Sequence, residues 1–249
     1  MPGTCPHGKG RSEVCLTGTV TKHIGIVAVS AEGAALCYRT ICGEGAQKLG
    51  RHSHPEVTMH TFPLSEYMAH IDSGQWDEVA RLMLASAHKL ALAGADFLIC
   101  PDNTAHQALP LVAPRSPRPW LHIAEEVAAE ALRHHYTHVG VLGTRYLMEG
   151  PVYAEKLTAA GLRLEIPDPK DRERINTVIF DELVYGRFED ESRSYFQDVI
   201  HRLADRGCDA VVLGCTEIPL LITESNSPLP ALDSTRILAR AALRRAVEP

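Results

Sequence analysis

"GADFLICPDNTAH" (94–106) and "GCDAVVLGCTEIP" (207–219) read as two versions of one sentence. Laid together without a gap, Gly94 meets Gly207, Asp96 meets Asp209, Thr104 meets Glu217, and Asp102 meets Cys215 at an offset of 113 residues. Each stretch is a short apolar run bounded by glycine and followed by polar residues, the pattern of a buried strand that ends in a loop. A second pair, "HIGIVAVS" from His23 and "HVGVLGTR" from His138, repeats at an offset of 115. Buried parallel strands share a generic look, but a near-constant offset at two separated places implies two homologous halves related by a pseudo-twofold axis.

Working outward, strand-length apolar runs lie at 23–29, 57–62, 95–100, 138–144 and 209–215. Helical spacing over 77–94 and 192–207 ends in each case on the glycine that precedes a strand. Helix, glycine, strand and polar loop make the unit of a mainly parallel α/β fold. The expected organisation is a leader over 1–22, a first α/β half over 23–117, a second over 118–226, and a closing segment over 227–249 whose helix (234–246) packs back on the halves. The Pro-rich "PRSPRPW" (114–120) suits the crossover.

With 45% hydrophobic and 22% charged residues the 249-residue chain has ample material for a core, which excludes wholesale disorder. A formal net charge of -6 supplies no basic field for a nucleic acid, so small molecules are the expected partners. No apolar run reaches membrane-spanning length and residues 1–22 lack an apolar signal core, so a cytoplasmic protein is expected, with no membrane partner. Seven scattered cysteines read as reduced thiols. Cys5, His7 and Cys15 do not follow a zinc spacing, and the leader reads as a mobile tail. The thirteen histidines complete no metal pattern, and no GxGxxG or phosphate loop appears, so no metal and no cofactor is expected.

In open α/β sheets ligands bind beyond the carboxyl ends of strands. Asp102, Asn103, Thr104 and His106 follow one such strand, and Cys215, Thr216 and Glu217 the other. A cleft between the halves then has Asp102 on one wall and Cys215 on the opposite wall. That arrangement suits removal of a proton from one face of a carbon and its delivery to the other.

"PDNTAH" (101–106) and "LGCTEIPLL" (213–221), with "HIGIVAVSAEG", "INTVIFDEL" (175–183) and "GPVYAEKLTAAGLRL" (150–164), resemble the aspartate/glutamate racemase family of cofactor-independent enzymes. The resemblance covers residues 23 to about 235 and implies two similar α/β halves, an active site between them, a small amino-acid substrate such as aspartate or glutamate, and a homodimer. It implies catalytic roles for the positions of Asp102 and Cys215, although Asp102 stands where these racemases have a first cysteine. Cys100, two residues early, reads as a packed thiol. The resemblance further assigns substrate binding to Asn103, Thr104 and Thr216, and to Arg51 for a distal carboxylate. Val184 stands where some members have a lysine, which argues against an acidic substrate. The loop holding Ser30, "AVSAEG" (28–33), departs from the family's glycine-rich opening and is a further candidate substrate contact. Glu217 reads foremost as a first-turn helix acid, and His106 either as a loop support or as an orienting group.

Reference pKa values of about 3.9 for Asp and about 8.5 for Cys differ by ~4.6 units, or roughly 6 kcal/mol, so the resting pair is carboxylate and thiol. Three functions fit this set: a two-base racemase or epimerase; a decarboxylase, lyase or cis-trans isomerase that uses Cys215 alone; and a non-catalytic carboxylate binder.

Overall fold

The computed structural model describes residues 21–248; Cys5, His7 and Cys15 lie outside them. Two parallel sheets organise the chain. The first is built from β1 (Ile24–Ala28), followed by α1 (Ala31–Leu49), β2 (Val57–Thr61), α2 (Leu64–Ile71), α3 (Trp76–Leu92) and β3 (Phe97–Ile99). Short helical turns over 104–108 and 113–115 flank α4 (Leu109–Val112). They lead through an extended bridge at Trp120, paired in parallel with Leu98, into α5 (Ile123–Arg133). The second sheet opens with β4 (His138–Leu142), followed by α6 (Arg145–Met148), α7 (Pro151–Ala159), β5 (Arg163–Glu165), α8 (Pro169–Asp181), a turn over 183–185, α9 (Asp190–Asp205) and β6 (Ala210–Leu213). Then come α10 (Ile218–Leu221), β7 (Ala231–Asp233) and α11 (Ser234–Val247). Strand orders are β2-β1-β3 and β5-β4-β6-β7, with Trp120 beside β3 where β7 lies beside β6.

The repeated residues do the same work twice. Gly94 and Gly207 close α3 and α9 with φ of 98° and 89°, values that favour glycine. Asp96 then accepts the backbone N–H of His23 at 2.7 Å, and Asp209 that of His138 at 3.1 Å, which ties the start of each central strand to its neighbour. Gly25 and Gly140 let α3 and α9 approach the sheets: a Cβ on Gly25 would lie 3.3 Å from Leu90 Cβ of α3 and 2.6 Å from Leu98 Cδ2 of the neighbouring β3, and one on Gly140 2.9 Å from Leu203 Cδ1 of α9.

Five strand positions agree with the apolar runs, and two strands did not announce themselves. β5 (RLE) and β7 (ALD) are three residues long and flank better-buried strands, so neither carries the apolar run that marks a central strand. β7 opens the segment expected only to carry a closing helix, and it pairs with β6. The long helices exchange sides. Ala124, Val127 and Ala128 of α5 join the core with Val139 and Val141 of β4, whereas Leu238, Ala239 and Ala242 of α11 join the core with Ile24 and Ile26 of β1. Alanine on the buried faces lets these helices come close, and Arg240 of α11 forms a forked ion pair with Glu44 of α1 at 2.9–3.0 Å. Both strand carboxyl ends thereby face one cleft. No described helix is long and apolar enough to cross a membrane.

Candidate active site

Short connections at the strand ends supply the site. After β3 the chain turns at once into the 104–108 turn, and Asp102 caps it, its Oδ1 accepting the Ala105 N–H at 2.9 Å. After β6 the Cys-Thr-Glu run enters α10. After β1 and β4, Ser30 and Thr144 each cap the following helix, accepting N–H groups of Gly33 and Leu147 at 3.3 Å. Asp102, Cys215, Ser30, Thr104, Thr144, Thr216 and Glu217 all line one cavity of about 80 Å³ between the sheets.

The acid/base groups are unequal. Burial first, and then the charge of Glu217, push Asp102 from 3.8 to about 6, against the pull of the Ala105 and Thr104 N–H groups. Burial drives the Cys215 thiol well above its ordinary 9.0, and the Glu217 carboxylate adds to this by its charge and its hydrogen bond. The Cys215 Sγ–H donates to Glu217 Oε2 at 2.9 Å, and the Thr216 hydroxyl donates to the same oxygen at 2.8 Å. Glu217 is thus more than a first-turn helix acid. α10 is only four residues long, and the carboxylate turns back, buried, onto the sulfur. Cys100 is a buried thiol, also raised by burial, with its sulfur 3.9 Å from the Asp102 carbonyl.

Asn103 borders the cavity, but its side-chain amide is committed elsewhere. Nδ2 donates to Ser234 Oγ at 3.0 Å and Oδ1 accepts the Tyr153 hydroxyl at 2.7 Å. Ser234 in turn donates to the Leu213 carbonyl at 2.9 Å, two residues before Cys215. This buried chain joins the Asp102 loop, α7, α11 and the end of β6, and so fixes the loops that follow β3 and β6 against each other. It is a positioning device that sequence reading did not identify; the type of Asn103 was visible, but the direction of its side chain was not.

His106 faces away from the cleft, toward Trp76, Trp120 and His122. Its Nε2 bonds the Cys100 carbonyl at 2.9 Å, which requires the proton on that nitrogen, and burial pushes its pKa down to about 3. It is therefore a neutral support for the Asp102 loop, the first of the two roles open to it. Arg51 is not brought to the cavity. It lies exposed just beyond the far end of the 19-residue α1, and a helix of that length carries it roughly 28 Å from the strand end where Ser30 sits.

Gly33, in the first turn of α1, is a point of close approach between the halves. A Cβ there would lie 2.6 Å from Thr216 Cγ2 and 2.9 Å from the Pro101 carbonyl oxygen. Two further contacts span the cleft: Thr104 to Thr144 at 3.3 Å between hydroxyls, and Tyr146 of α6, which donates to Asp72 at 2.8 Å. No cluster of three or more His, Cys, Asp or Glu suited to a metal occurs among the described residues.

The family model for Asp/Glu/hydantoin racemase matches residues 24–242. The chain belongs to the Asp/Glu/hydantoin racemase family. Among its relatives, the broad-specificity amino-acid racemase RacX of Bacillus subtilis (strain 168) is 25% identical over 165 residues, 66% of this chain and 71% of RacX. A candidate Asp/Glu racemase from Yersinia pestis superposes with a TM-score of 0.85 at 31% identity, covering 91% of this chain and 100% of that one. An aspartate racemase homologue from Pyrococcus horikoshii OT3 gives 0.81 at 26% identity, with the same two coverages. The named enzymes among these relatives of the family are isomerases, and the two-sheet α/β architecture is shared.

Proposed function

We propose that this protein is an amino-acid racemase or epimerase that needs no cofactor and inverts the α-carbon by a two-base mechanism, with Asp102 and Cys215 as the opposed pair. The observation that supports it is that a carboxylate and a thiol from equivalent strand ends line one cavity. In one direction the Asp102 carboxylate takes the α-proton and the Cys215 thiol gives its proton to the opposite face, leaving Asp102 protonated and Cys215 as thiolate. In the other direction the roles reverse. Ser30, Thr104 and Thr144 carry hydroxyls suited to the substrate carboxylate and to the negative charge that develops on it, an oxyanion-type effect worth a few kcal/mol per donor. Thr216 and Glu217 work beneath the sulfur, and Asn103 holds the loops.

The test is exchange of the α-proton in deuterated water, followed by NMR with separation of enantiomers, for the native protein and for Asp102→Asn and Cys215→Ser. Exchange with appearance of the opposite enantiomer, abolished in both variants, is expected. Loss of carboxylate or formation of an alkene would instead assign the chemistry to Cys215 alone.

A further inference from the structure

We infer that the substrate carries an uncharged, apolar side chain of a few carbons, like that of leucine or methionine, and not a second carboxylate. The inference rests on the racemase reading for the position of the α-carbon between Asp102 and Cys215, and on the cavity walls for everything beyond it.

Those walls are built from both halves. From α2, Leu64, Met68 and Ile71 face the cavity; from the opposite side come Ile179 and Phe180 of α8 and Val184 just after it. All six are apolar. Among the described residues no lysine, arginine or histidine lines the cavity, and the two charged groups that do, Asp102 and Glu217, are both acidic. A distal carboxylate of aspartate or glutamate would give up its water against hydrocarbon, find no cation, and sit beside two like charges, so each contribution opposes its binding. An aliphatic side chain meets none of these costs and gains burial. The α-ammonium and α-carboxylate of any amino acid remain served by the acidic groups and by the hydroxyls of Ser30, Thr104 and Thr144. A cationic side chain of lysine or arginine would lay its stem along the same wall but must carry its head past Leu64 and Val184, where no described acidic residue lines the cavity.

Two measurements separate this inference from the reading beneath it. The first is α-proton exchange for leucine, methionine, aspartate, glutamate and lysine. The second is protection of Cys215 from alkylation by the same amino acids, read by mass spectrometry, which reports binding without turnover. Leucine and methionine are expected to exchange at least 100-fold faster than aspartate, and to protect Cys215 where aspartate does not. Protection by leucine with no exchange for any amino acid would leave the apolar subsite standing and overturn the racemase reading. Aspartate, glutamate or lysine matching leucine in either assay, or no protection by any apolar amino acid, would overturn the inference itself. Val184 is 40% exposed, so Val184→Lys adds a cation to the wall without disturbing a core, and it is expected to raise the aspartate-to-leucine exchange ratio at least tenfold. An unchanged ratio would show that this wall does not hold the side chain.

Discussion

Replacing Asp102 by asparagine separates the charge of this side chain from its place in the fold, because the asparagine oxygen can still accept the Ala105 N–H that Asp102 accepts at 2.9 Å. Burial and the neighbouring Glu217 charge raise the native carboxyl from 3.8 to about 6. A base with that value is ionised to about 9% at pH 5 and to about 91% at pH 7, so kcat/KM should rise about tenfold across the interval. The variant should lose activity by about 10²–10⁴-fold and lose this limb. Stability should move in the opposite sense. A carboxyl with a raised pKa holds its proton in the native state after the unfolded chain has released it, so its favourable contribution is present below 3.8 and is lost as pH rises to about 6. The full shift of about two units corresponds to roughly 3 kcal/mol, and the cleft's open mouth reduces this to about 1–2. Asp102→Asn should therefore melt about 3–6 °C above the native protein at pH 7, with little difference below pH 4. Proton-exchange rates and thermal unfolding over pH 3.5–8 check both halves. A flat native profile between pH 5 and 7, or a variant less stable at pH 7, would refute the assignment of a buried catalytic carboxylate.

Three further substitutions probe the groups around this pair. Glu217→Gln removes the charge that helps to raise the Cys215 thiol, so alkylation of Cys215 at pH 8, followed peptide by peptide, should accelerate about tenfold; an unchanged rate would disconnect the two side chains. Gly33→Ala places a methyl group 2.6 Å from Thr216 Cγ2 and against the Pro101 carbonyl, which should cost about 1–3 kcal/mol in denaturant unfolding and depress kcat by parting the halves. Asn103→Ala leaves the buried Tyr153 hydroxyl without its acceptor and Ser234 without its donor, for an expected loss of about 2–4 kcal/mol, with kcat falling more than KM rises.

Sequence made the central strands, and the loops after them that hold Asp102 and Cys215, legible for one physical reason: buried strands need apolar runs, and the glycines and aspartates that start and stop them recur at fixed offsets. The shortest strands escape that rule, although the five-residue edge strand β2 does not. β5 and β7 are short, and hydrogen bonds to β4 and β6 supply the pairing that their own residues do not advertise. The exchange of α5 and α11 was also hidden, since an alanine-rich face fits either sheet equally well on paper. Within the site, residue type was readable and direction was not. Asn103 turns inward to Ser234 and Tyr153, Glu217 turns back to the sulfur, and His106 leaves the cleft altogether. Arg51, assigned to the substrate by the family resemblance, is carried away from the cavity by the 19-residue α1.

The unlike pair also constrains the kinetics in a way that two cysteines would not. With Asp102 raised only to about 6, and with burial and the Glu217 charge holding the Cys215 thiol well above its ordinary value, the singly protonated pair rests as carboxylate and thiol, and the opposite tautomer is the rare form. The enantiomer whose α-proton faces Asp102 meets the abundant form, and its mirror image requires the rare one. Because the equilibrium constant between free enantiomers is one, kcat/KM must still be equal in the two directions at every pH, and the imbalance can appear only as a matched difference in kcat and KM. Full progress curves from each pure enantiomer of an exchanging amino acid measure this directly. Equal kcat/KM with kcat values that differ severalfold is the expected outcome. Equal kcat and equal KM would mean that the two tautomers are near balance when substrate is bound, and the pairing of a low-pKa base with a high-pKa acid would have to be abandoned.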